Sequence, residues 1–302
     1  MSTPTAQTID GPTALMLGAL ACLWGCTYFF VGFAVREVTP LTLVLSRLAI
    51  AALVLHAVRI ASGVAMPAAL WPRLAVMALL NNAIPFSLIF WAQTIIPAGL
   101  ASILNAATPV FGVIVAALVR QERLTANRAL GVVAGFAGVA VLVGPSALAG
   151  AGSLWPELAC LAATLSYAFS TAYARVALSG VAPLVLAAGQ LTASSVLVAP
   201  LALAVEAPWA LPLPSAPVLA AALALGVFST ALAYILFFRI LARAGSTNLL
   251  LVTFLIPIVA VLLGVALLDE ALLSRHLGGF ALIAAGLAAI DGRLLRRVRR
   301  GA

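Results

Sequence analysis

Charged side chains are scarce in this sequence. They make up 8% of its 302 residues and include no lysine, whereas soluble globular proteins carry about 25% charged residues. Hydrophobic residues make up 65% of the chain, and the mean hydropathy is +1.21. So few charges exclude a water-exposed surface over most of the protein. The composition therefore predicts a polytopic membrane protein.

Side chains that build metal sites and catalytic centres are also few. The three cysteines, Cys22, Cys26 and Cys160, lie inside apolar runs, which favours small buried side chains over a disulfide or zinc framework. The two histidines, His56 and His276, stand at the ends of apolar segments. The sequence has no phosphate-binding loop, metal cluster or paired acid and base. We expect no catalytic residues, no cofactor and no metal site.

Ten apolar segments are visible along the chain. A membrane span needs roughly 20 apolar residues, and short segments keep nine or eleven spans open, although an even number fits best. The segments are 13–34, 41–58, 74–92, 97–119, 129–146, 154–174, 181–204, 217–238, 246–267 and 276–291. The prediction is an all-α integral membrane protein with ten transmembrane helices.

The arginines test this count, because each span moves the chain to the other side of the membrane. Arg36 and Arg275 fall on one side, and Arg47 falls inside the second span. The other 13 of the 16 basic residues share the opposite side: Arg59, Arg73, Arg120, Arg123, Arg128, Arg175, Arg239, Arg243, Arg293, Arg296, Arg297, Arg299 and Arg300. The positive-inside rule then places both termini in the cytoplasm.

The two ends of the chain add to this picture. The first ten residues contain no Lys or Arg, so the basic start of a signal peptide is missing. The C-terminal arginines favour an anchor on anionic lipid, with a regulatory or nucleic-acid role as the alternative. Since the other arginines are scattered singly through the loops, we expect lipid rather than nucleic acid as the partner.

An internal repeat relates the two halves of the chain. A shift of 148 positions aligns Pro109 with Pro257, Glu122 with Glu270, Gly131 with Gly279, and Gly138 with Gly286. A shift of 143 aligns Pro40 with Pro183 and Arg47 with Gln190 in the earlier spans. Each half holds five spans, an odd number, so the second half enters the membrane from the opposite face. Inverted repeats of this kind are typical of alternating-access transporters.

The repeat defines five predicted segments. They are an N-terminal cytoplasmic segment 1–12, a first five-helix repeat 13–146, a linker 147–153, a second repeat 154–291, and a basic cytoplasmic tail 292–302.

Two matched runs of the repeat carry a family resemblance. PVFGVIVAALVRQERLTANRALGVVAGFAGVAVLVG (109–144) and PIVAVLLGVALLDEALLSRHLGGFALIAAGLAAI (257–290) resemble the paired EamA domains of the drug/metabolite transporter superfamily. Leu23-Trp24-Gly25 and the Pro40/Arg47 pair add to the likeness, which covers about residues 13–292. The resemblance implies a ten-helix metabolite exporter in the bacterial inner membrane, similar to YddG-like amino-acid exporters.

Two prolines point to a site near the membrane midplane. Pro109 and Pro257 are predicted near the centres of the fourth and ninth spans, where a proline leaves the carbonyl four residues earlier without its helical partner. Those carbonyls belong to Asn105 and Thr253, which are repeat mates. Either the two polar side chains satisfy their own broken turns, or they line a cavity and the prolines are hinges.

Other polar and aromatic residues of the spans would complete the cavity. Polar groups in lipid face the bundle interior or a wet cavity. The remaining predicted cavity residues are Trp24, Thr27, Tyr28, Asn81, Asn82, Phe86, Tyr167, Ser170, Ser229, Thr230 and Tyr234. Arg47 is predicted either to stabilise the fold or to bind a substrate carboxylate. Gly131 and Gly135 form a GxxxG pattern that predicts close helix packing, either within the chain or in a homodimer, so we expect a monomer or homodimer.

A largely apolar cavity with a few hydrogen-bonding groups is typical of a small-molecule site. We therefore predict export of small neutral or zwitterionic metabolites, above all amino acids with aromatic or other apolar side chains. The alternatives are a carrier of phosphorylated metabolites or nucleotide-sugars, which would want several buried cations, and a multidrug exporter. The absence of a carboxylate in the middle of any span argues against a cation/proton antiporter.

Overall fold

A computed structural model describes residues 10–122, 124–148, 154–249 and 251–291. The predictions for the rest of segment 1–12, for linker residues 149–153, for Arg123 and for the tail 292–302 concern residues outside this part of the chain. The described residues are helical and contain no strand. The helices are α1 (Gly11–Ala34), α2 (Pro40–Ala61), α3 (Trp71–Ala78), α4 (Ile84–Ala92), α5 (Ala98–Asn105), α6 (Thr108–Leu118), α7 (Ala126–Leu148), α8 (Trp155–Ala177), α9 (Pro183–Glu206), α10 (Ala216–Gly226), α11 (Ala233–Leu249), α12 (Val252–Leu267) and α13 (Ser274–Asp291).

Seven helical stretches of the described residues are long and apolar enough to cross a membrane. They are Gly11–Ala34, Pro40–Ala61, Ala68–Ala92, Ala98–Leu118, Ala126–Gly144, Pro183–Glu206 and Ala216–Gly245. Val252–Leu267 and Ser274–Ile290 are apolar but shorter. The protein is therefore a multi-pass, all-helical membrane protein.

Proline marks the start of many of these helices. Pro40, Pro156, Pro183 and Pro217 all lie in the first turn of their helices, where the missing N–H has no helical acceptor to lose. Pro109 belongs to this group, because it lies in the first turn of α6. Pro109 lies near the middle of the apolar stretch Ala98–Leu118, as predicted, but this stretch is broken into two helices and the proline lies at the start of the second one. The span predicted at 97–119 consists of two helices, α5 and α6.

Another difference concerns the eighth and ninth predicted spans. The eighth was predicted to end at residue 238, but its apolar helical stretch continues to Gly245, where non-helical backbone ends it. Gly245 has φ 75°, a left-handed conformation that costs little only for glycine. The ninth predicted span, 246–267, begins after this break and contains α12, with Pro257 inside the helix.

Helices α7 and α13, which are repeat mates, pack closely through glycines. A Cβ on Gly131 would lie 2.5 Å from the carbonyl oxygen of Gly286, and one on Gly138 would lie 2.7 Å from that of Gly279. A Cβ on Gly135 would lie 2.5 Å from Val110 of α6. The GxxxG face is thus used inside the chain, as close packing of helix backbones requires. It is not free to form the dimer face that was one of its two predicted uses.

One end of the bundle is joined by glutamates, and we call it the carboxylate end. Glu37 accepts hydrogen bonds from Ser215 at the start of α10, Glu206 accepts from Leu41 and Thr42 in α2, and Glu270 accepts from Ala98 and Gly99 in α5. The first N–H groups of a helix have no partner within it, and a carboxylate is a strong acceptor for them. Each of the three glutamates caps a helix of the opposite repeat.

The other end is joined by arginines, and we call it the arginine end. Glu122 bridges Arg128 and Arg175 at 2.7 and 2.5 Å, and Asp10 pairs with Arg243 at 2.5 Å. These side chains are a third to a half exposed, so each pair contributes little to stability. The two ends of the bundle are therefore held together by different chemistry.

Candidate functional site

Each repeat contains one π-helical turn at a matching position. Leu79–Ala83 separates α3 from α4, and Val227–Leu232 separates α10 from α11. In the 148-residue frame, Asn81 and Asn82 of the first π-turn correspond to Ser229 and Thr230 of the second. Such turns widen a helix locally and frequently occur at functional sites. They bring four predicted site residues to equivalent places in the two halves.

The first π-turn carries a hydrogen-bond network between the repeats. Asn81 donates to the Gln190 side-chain oxygen at 3.1 Å and to the Tyr234 hydroxyl at 3.0 Å. Ser170 donates to the Asn81 carbonyl oxygen at 3.0 Å. The Asn81 side chain thus has partners for both of its ends.

Asn82 extends the network to α9. The Tyr234 hydroxyl donates to its carbonyl oxygen at 3.0 Å, and its NH₂ group donates to Ser194 at 3.1 Å and to Gln190 at 3.4 Å. Asn82 is completely buried, and a satisfied buried network is rigid and specific in its geometry. We therefore interpret the first π-turn as a well-ordered junction between the repeats.

The second π-turn meets a buried cation instead of an amide. Arg47 is only 4% exposed. Its Nε donates to the Thr230 hydroxyl at 2.7 Å, and its guanidinium carbon lies 4.0 Å from the centroid of the Phe86 ring. Within the described residues, no carboxylate lies within 4 Å of the Arg47 side chain. Its charge is stabilised by a hydroxyl and an aromatic face, and no buried acid balances it.

Two polar atoms of the predicted set are buried without a hydrogen-bond partner among the described residues. They are the Ser229 hydroxyl in the second π-turn and the side-chain oxygen of Asn105. The Asn105 side chain lies beside Tyr28, and Ser229 directly precedes Thr230, the hydrogen-bond partner of Arg47. A buried polar atom without a partner costs about 1–3 kcal/mol. These atoms are therefore suited to meet a polar ligand.

Asn105 and Thr253, the residues four positions before the two predicted hinge prolines, lie in different surroundings. The Asn105 carbonyl accepts a hydrogen bond from the Thr108 hydroxyl at 2.7 Å, so this carbonyl is not free. This agrees with the predicted alternative in which the broken turn is satisfied locally. The donor is the Thr108 hydroxyl, however, and not the Asn105 side chain. Thr253 is half-buried in α12, which packs against α1 and α5.

Of the other predicted residues of α1, Trp24 lies near the start of α11, and Thr27 bonds within its own helix. The Trp24 ring lies 5.6 Å from the ring of Phe237. Thr27 donates to the carbonyl of Leu23 at 3.4 Å and is 8% exposed. Neither residue has a hydrogen bond to Arg47 among the described contacts, and their ligand contacts stay predictions.

Sequence reasoning missed Gln190 and Ser194. Both are buried in α9, and both bond Asn82. The available signal was the repeat itself, because Gln190 is the mate of Arg47. No residue pattern marks the π-turns, so the partnership between α9 and the first π-turn could not be predicted.

Comparisons with known proteins agree with this architecture. The model of the EamA-like transporter family matches residues 12–144 and 154–290. An uncharacterized transporter of Bacillus subtilis (strain 168), YvbV, is 28% identical over 287 residues, which cover 92% of this chain and 91% of that protein. Protein PecM of Dickeya dadantii (strain 3937) is 27% identical over 272 residues and 88% of both chains.

A solved crystal structure shows the same fold. Its TM-score is 0.66 at 24% identity, over 95% of this chain and 99% of the other. The family model covers both halves of the sequence and, with them, both π-turns and the glycine contact of α7 with α13. The chain therefore belongs to the EamA-like transporter family.

Proposed function

We propose that this protein exports small zwitterionic metabolites, above all amino acids with aromatic or other apolar side chains, by alternating access. The observation that carries the proposal is Arg47, a buried cation with an aromatic face beside it and no carboxylate partner among the described residues. A substrate carboxylate would supply the missing negative charge, since guanidinium and carboxylate pair with high geometric specificity.

The neighbours of Arg47 suit the rest of such a substrate. The unpartnered oxygens of Ser229 and Asn105 could accept hydrogen bonds from an ammonium group. The rings of Phe86 and Phe90 lie 4.0 and 5.6 Å from the same cation, and aromatic faces favour apolar side chains. A zwitterion with an apolar side chain uses all three kinds of group.

The proposed topology has ten spans, two inverted repeats and both termini in the cytoplasm of a bacterial cell. In this arrangement the arginine end faces the cytoplasm, in line with the positive-inside rule, and the carboxylate end faces outward. Rocking of one repeat against the other would open the two ends in turn.

The alternative substrates would require a different set of charged side chains in the site. A phosphorylated metabolite or nucleotide-sugar carries more negative charge than one buried arginine can balance. A cationic drug would be repelled by Arg47. Both classes belong in the test as competing outcomes.

The experiment is counterflow in liposomes that contain the purified full-length protein. The substrates are L-phenylalanine, L-phenylalaninamide (which lacks the carboxylate), glucose 6-phosphate and a cationic dye. We expect flux of phenylalanine and discrimination against the amide. In Arg47→Gln we expect phenylalanine affinity to fall about a hundredfold, since a charged hydrogen bond contributes roughly 1.5–3 kcal/mol, and the preference over the amide to disappear.

Arg243→Gln is the matched control, because Arg243 is a half-exposed arginine at the arginine end. It should leave both affinity and discrimination unchanged. Unchanged affinity in a well-folded Arg47→Gln protein would show that Arg47 only stabilises the fold. Flux of the dye or the sugar phosphate alone would replace the proposed substrate class.

A further inference from the structure

A polar recess lies at the carboxylate end of the bundle, and Arg47 is not among the residues that line it. Its volume is about 270 Å³, and it lies between the ends of α1, α4 and α12 and the start of α5. Gly32, Arg36, Gln93, Thr94, Leu268 and Glu270 are among its lining residues. None of the predicted cavity residues lines it. Ligand pockets usually measure about 300–1,000 Å³, so the recess suits a molecule of few heavy atoms.

Gln93 is the unexplained residue of this recess. Its side chain is only 6% exposed, and both its amide nitrogen and its amide oxygen lack a hydrogen-bond partner among the described residues. Such a group costs free energy in the folded protein unless something satisfies it. A side chain with an unpaired donor and an unpaired acceptor at a recess is suited to a ligand that carries both functions.

The recess also offers one charge of each sign. Arg36 is exposed and forms no ion pair with the described residues. Each Glu270 carboxylate oxygen accepts one backbone N–H, from Ala98 or Gly99, and keeps a free lone pair for a second donor. A carboxylate could bind at Arg36 while an ammonium group binds at Glu270.

The repeat shows that this polar set belongs to one end of the molecule only. In the frames that relate the halves, Arg36 corresponds to Ser179 and Gln93 corresponds to Leu241. The matching place at the arginine end therefore lacks both the cation and the amide.

We propose that this recess is a binding site for a small zwitterion, with its carboxylate on Arg36, its ammonium group on Glu270, and Gln93 bonded to either. The site shares no residue with the Arg47 region. The inference therefore goes beyond the proposed function and does not depend on it.

The test is protection of a cysteine placed in the recess. Thr94 lines the recess and is exposed, so Thr94→Cys is introduced into full-length protein whose Cys22, Cys26 and Cys160 are replaced by serine or alanine. The rate of alkylation by a membrane-impermeant maleimide is measured in proteoliposomes with L-alanine, L-alaninamide or N-acetyl-L-alanine. We expect alanine to slow the reaction, and we expect the other two, which each lack one charge, to leave it unchanged.

Variants then assign the protection to the recess. Gln93→Leu and Arg36→Gln should each raise the alanine concentration for half-protection by at least about tenfold. Because Arg36 is exposed, Arg36→Gln remains informative if Gln93→Leu fails to fold. Arg47→Gln should leave the protection intact, whether or not the Arg47 region binds amino acids.

Three results would overturn the proposal. They are no protection by alanine, equal protection by all three compounds, and protection that survives both recess variants. Loss of protection in Arg47→Gln alone would also reject it, because the cysteine would then report a shape change driven from the Arg47 region.

Discussion

Arg47 and Gln190 stand at matching positions in the two repeats and do different things. Each reaches across to the π-turn of the opposite repeat. Gln190 completes a network in which both Asn81 and Asn82 are satisfied. Arg47 brings a charge to Thr230 that no described acid balances. Both repeats therefore make a contact to the π-turn of the opposite repeat, but with different side chains. The contact made by Arg47, whose charge has no described acid partner, is the one suited to a ligand.

The contact of α7 with α13 is the opposite case. Gly138 and Gly279 face each other, so that a Cβ on either one would meet the carbonyl oxygen of the other. The same holds for Gly131 and Gly286. Here the two repeats are alike in geometry and in residue type. The comparison indicates that the two repeats stay alike where helix backbones touch and differ where buried polar side chains meet.

The strongest test of the symmetric part is a pair of mate substitutions. Gly138→Leu and Gly286→Leu should each prevent α7 and α13 from packing, because a Cβ would lie 2.7 Å and 2.6 Å from a backbone oxygen of the other helix. We expect both proteins to be lost from the monodisperse peak in size-exclusion chromatography. Gly112→Leu is the control, since a Cβ there meets nothing within 4 Å. Normal folding of either mate variant would contradict the close contact.

The next test asks whether Asn105 and its mate Thr253 share a role. Asn105→Leu removes a buried oxygen that has no partner among the described residues. If this oxygen meets a charged substrate group, affinity should fall by about ten- to a hundredfold. The measurement is substrate binding in detergent.

Thr171→Leu is the control for Asn105, because Thr171 is exposed and its hydroxyl bonds only its own helix. Unchanged affinity in Asn105→Leu would move the site away from α5. An equal loss in Thr253→Val would indicate that the two repeats contribute alike.

Gln190→Leu should lower stability rather than affinity. The substitution removes one hydrogen-bond acceptor from the NH₂ group of half-buried Asn81 and one from that of buried Asn82. We expect this to lower the free energy of unfolding by roughly 1–3 kcal/mol. A thermal melt in detergent would show this as a lower midpoint, with substrate affinity retained. A loss of affinity at normal stability would place Gln190 in the substrate site and remove the distinction from Arg47.

The smallest effect concerns Glu122, the mate of Glu270. The hydrogen bond from Arg175 and the charge of Arg128 lower the pKa of Glu122 below its ordinary value. The resulting stabilisation is present above the unfolded-state pKa of about 4.3 and is lost as pH falls through the lower folded-state value. Because the pairs are exposed to solvent, we expect at most about 1 kcal/mol.

Thermal midpoints of wild type and Glu122→Gln should therefore differ slightly at neutral pH and converge in acid. High salt should narrow the neutral-pH difference by screening. A difference that grew on acidification would mean that the sign of the effect is wrong.

The helical, multi-pass fold and its family could be predicted from the sequence because apolar length, proline and glycine leave clear patterns. Pro109 lies near the middle of the stretch Ala98–Leu118 as predicted, but a proline inside a long apolar run marks either a kink or a helix start, and only the tertiary structure selects between them. The π-turns and the role of Gln190 depend on contacts between distant helices, which a single sequence does not record.

The different chemistry of the two ends has a consequence for how the solution acts on each. Glu37, Glu206 and Glu270 accept hydrogen bonds from helix starts of the opposite repeat, and such short contacts do not depend on ion pairing between exposed side chains. The exposed ion pairs of the other end are loosened by salt, which screens them. Ionic strength would therefore act unequally on the two ends of the bundle, and mainly on the arginine end.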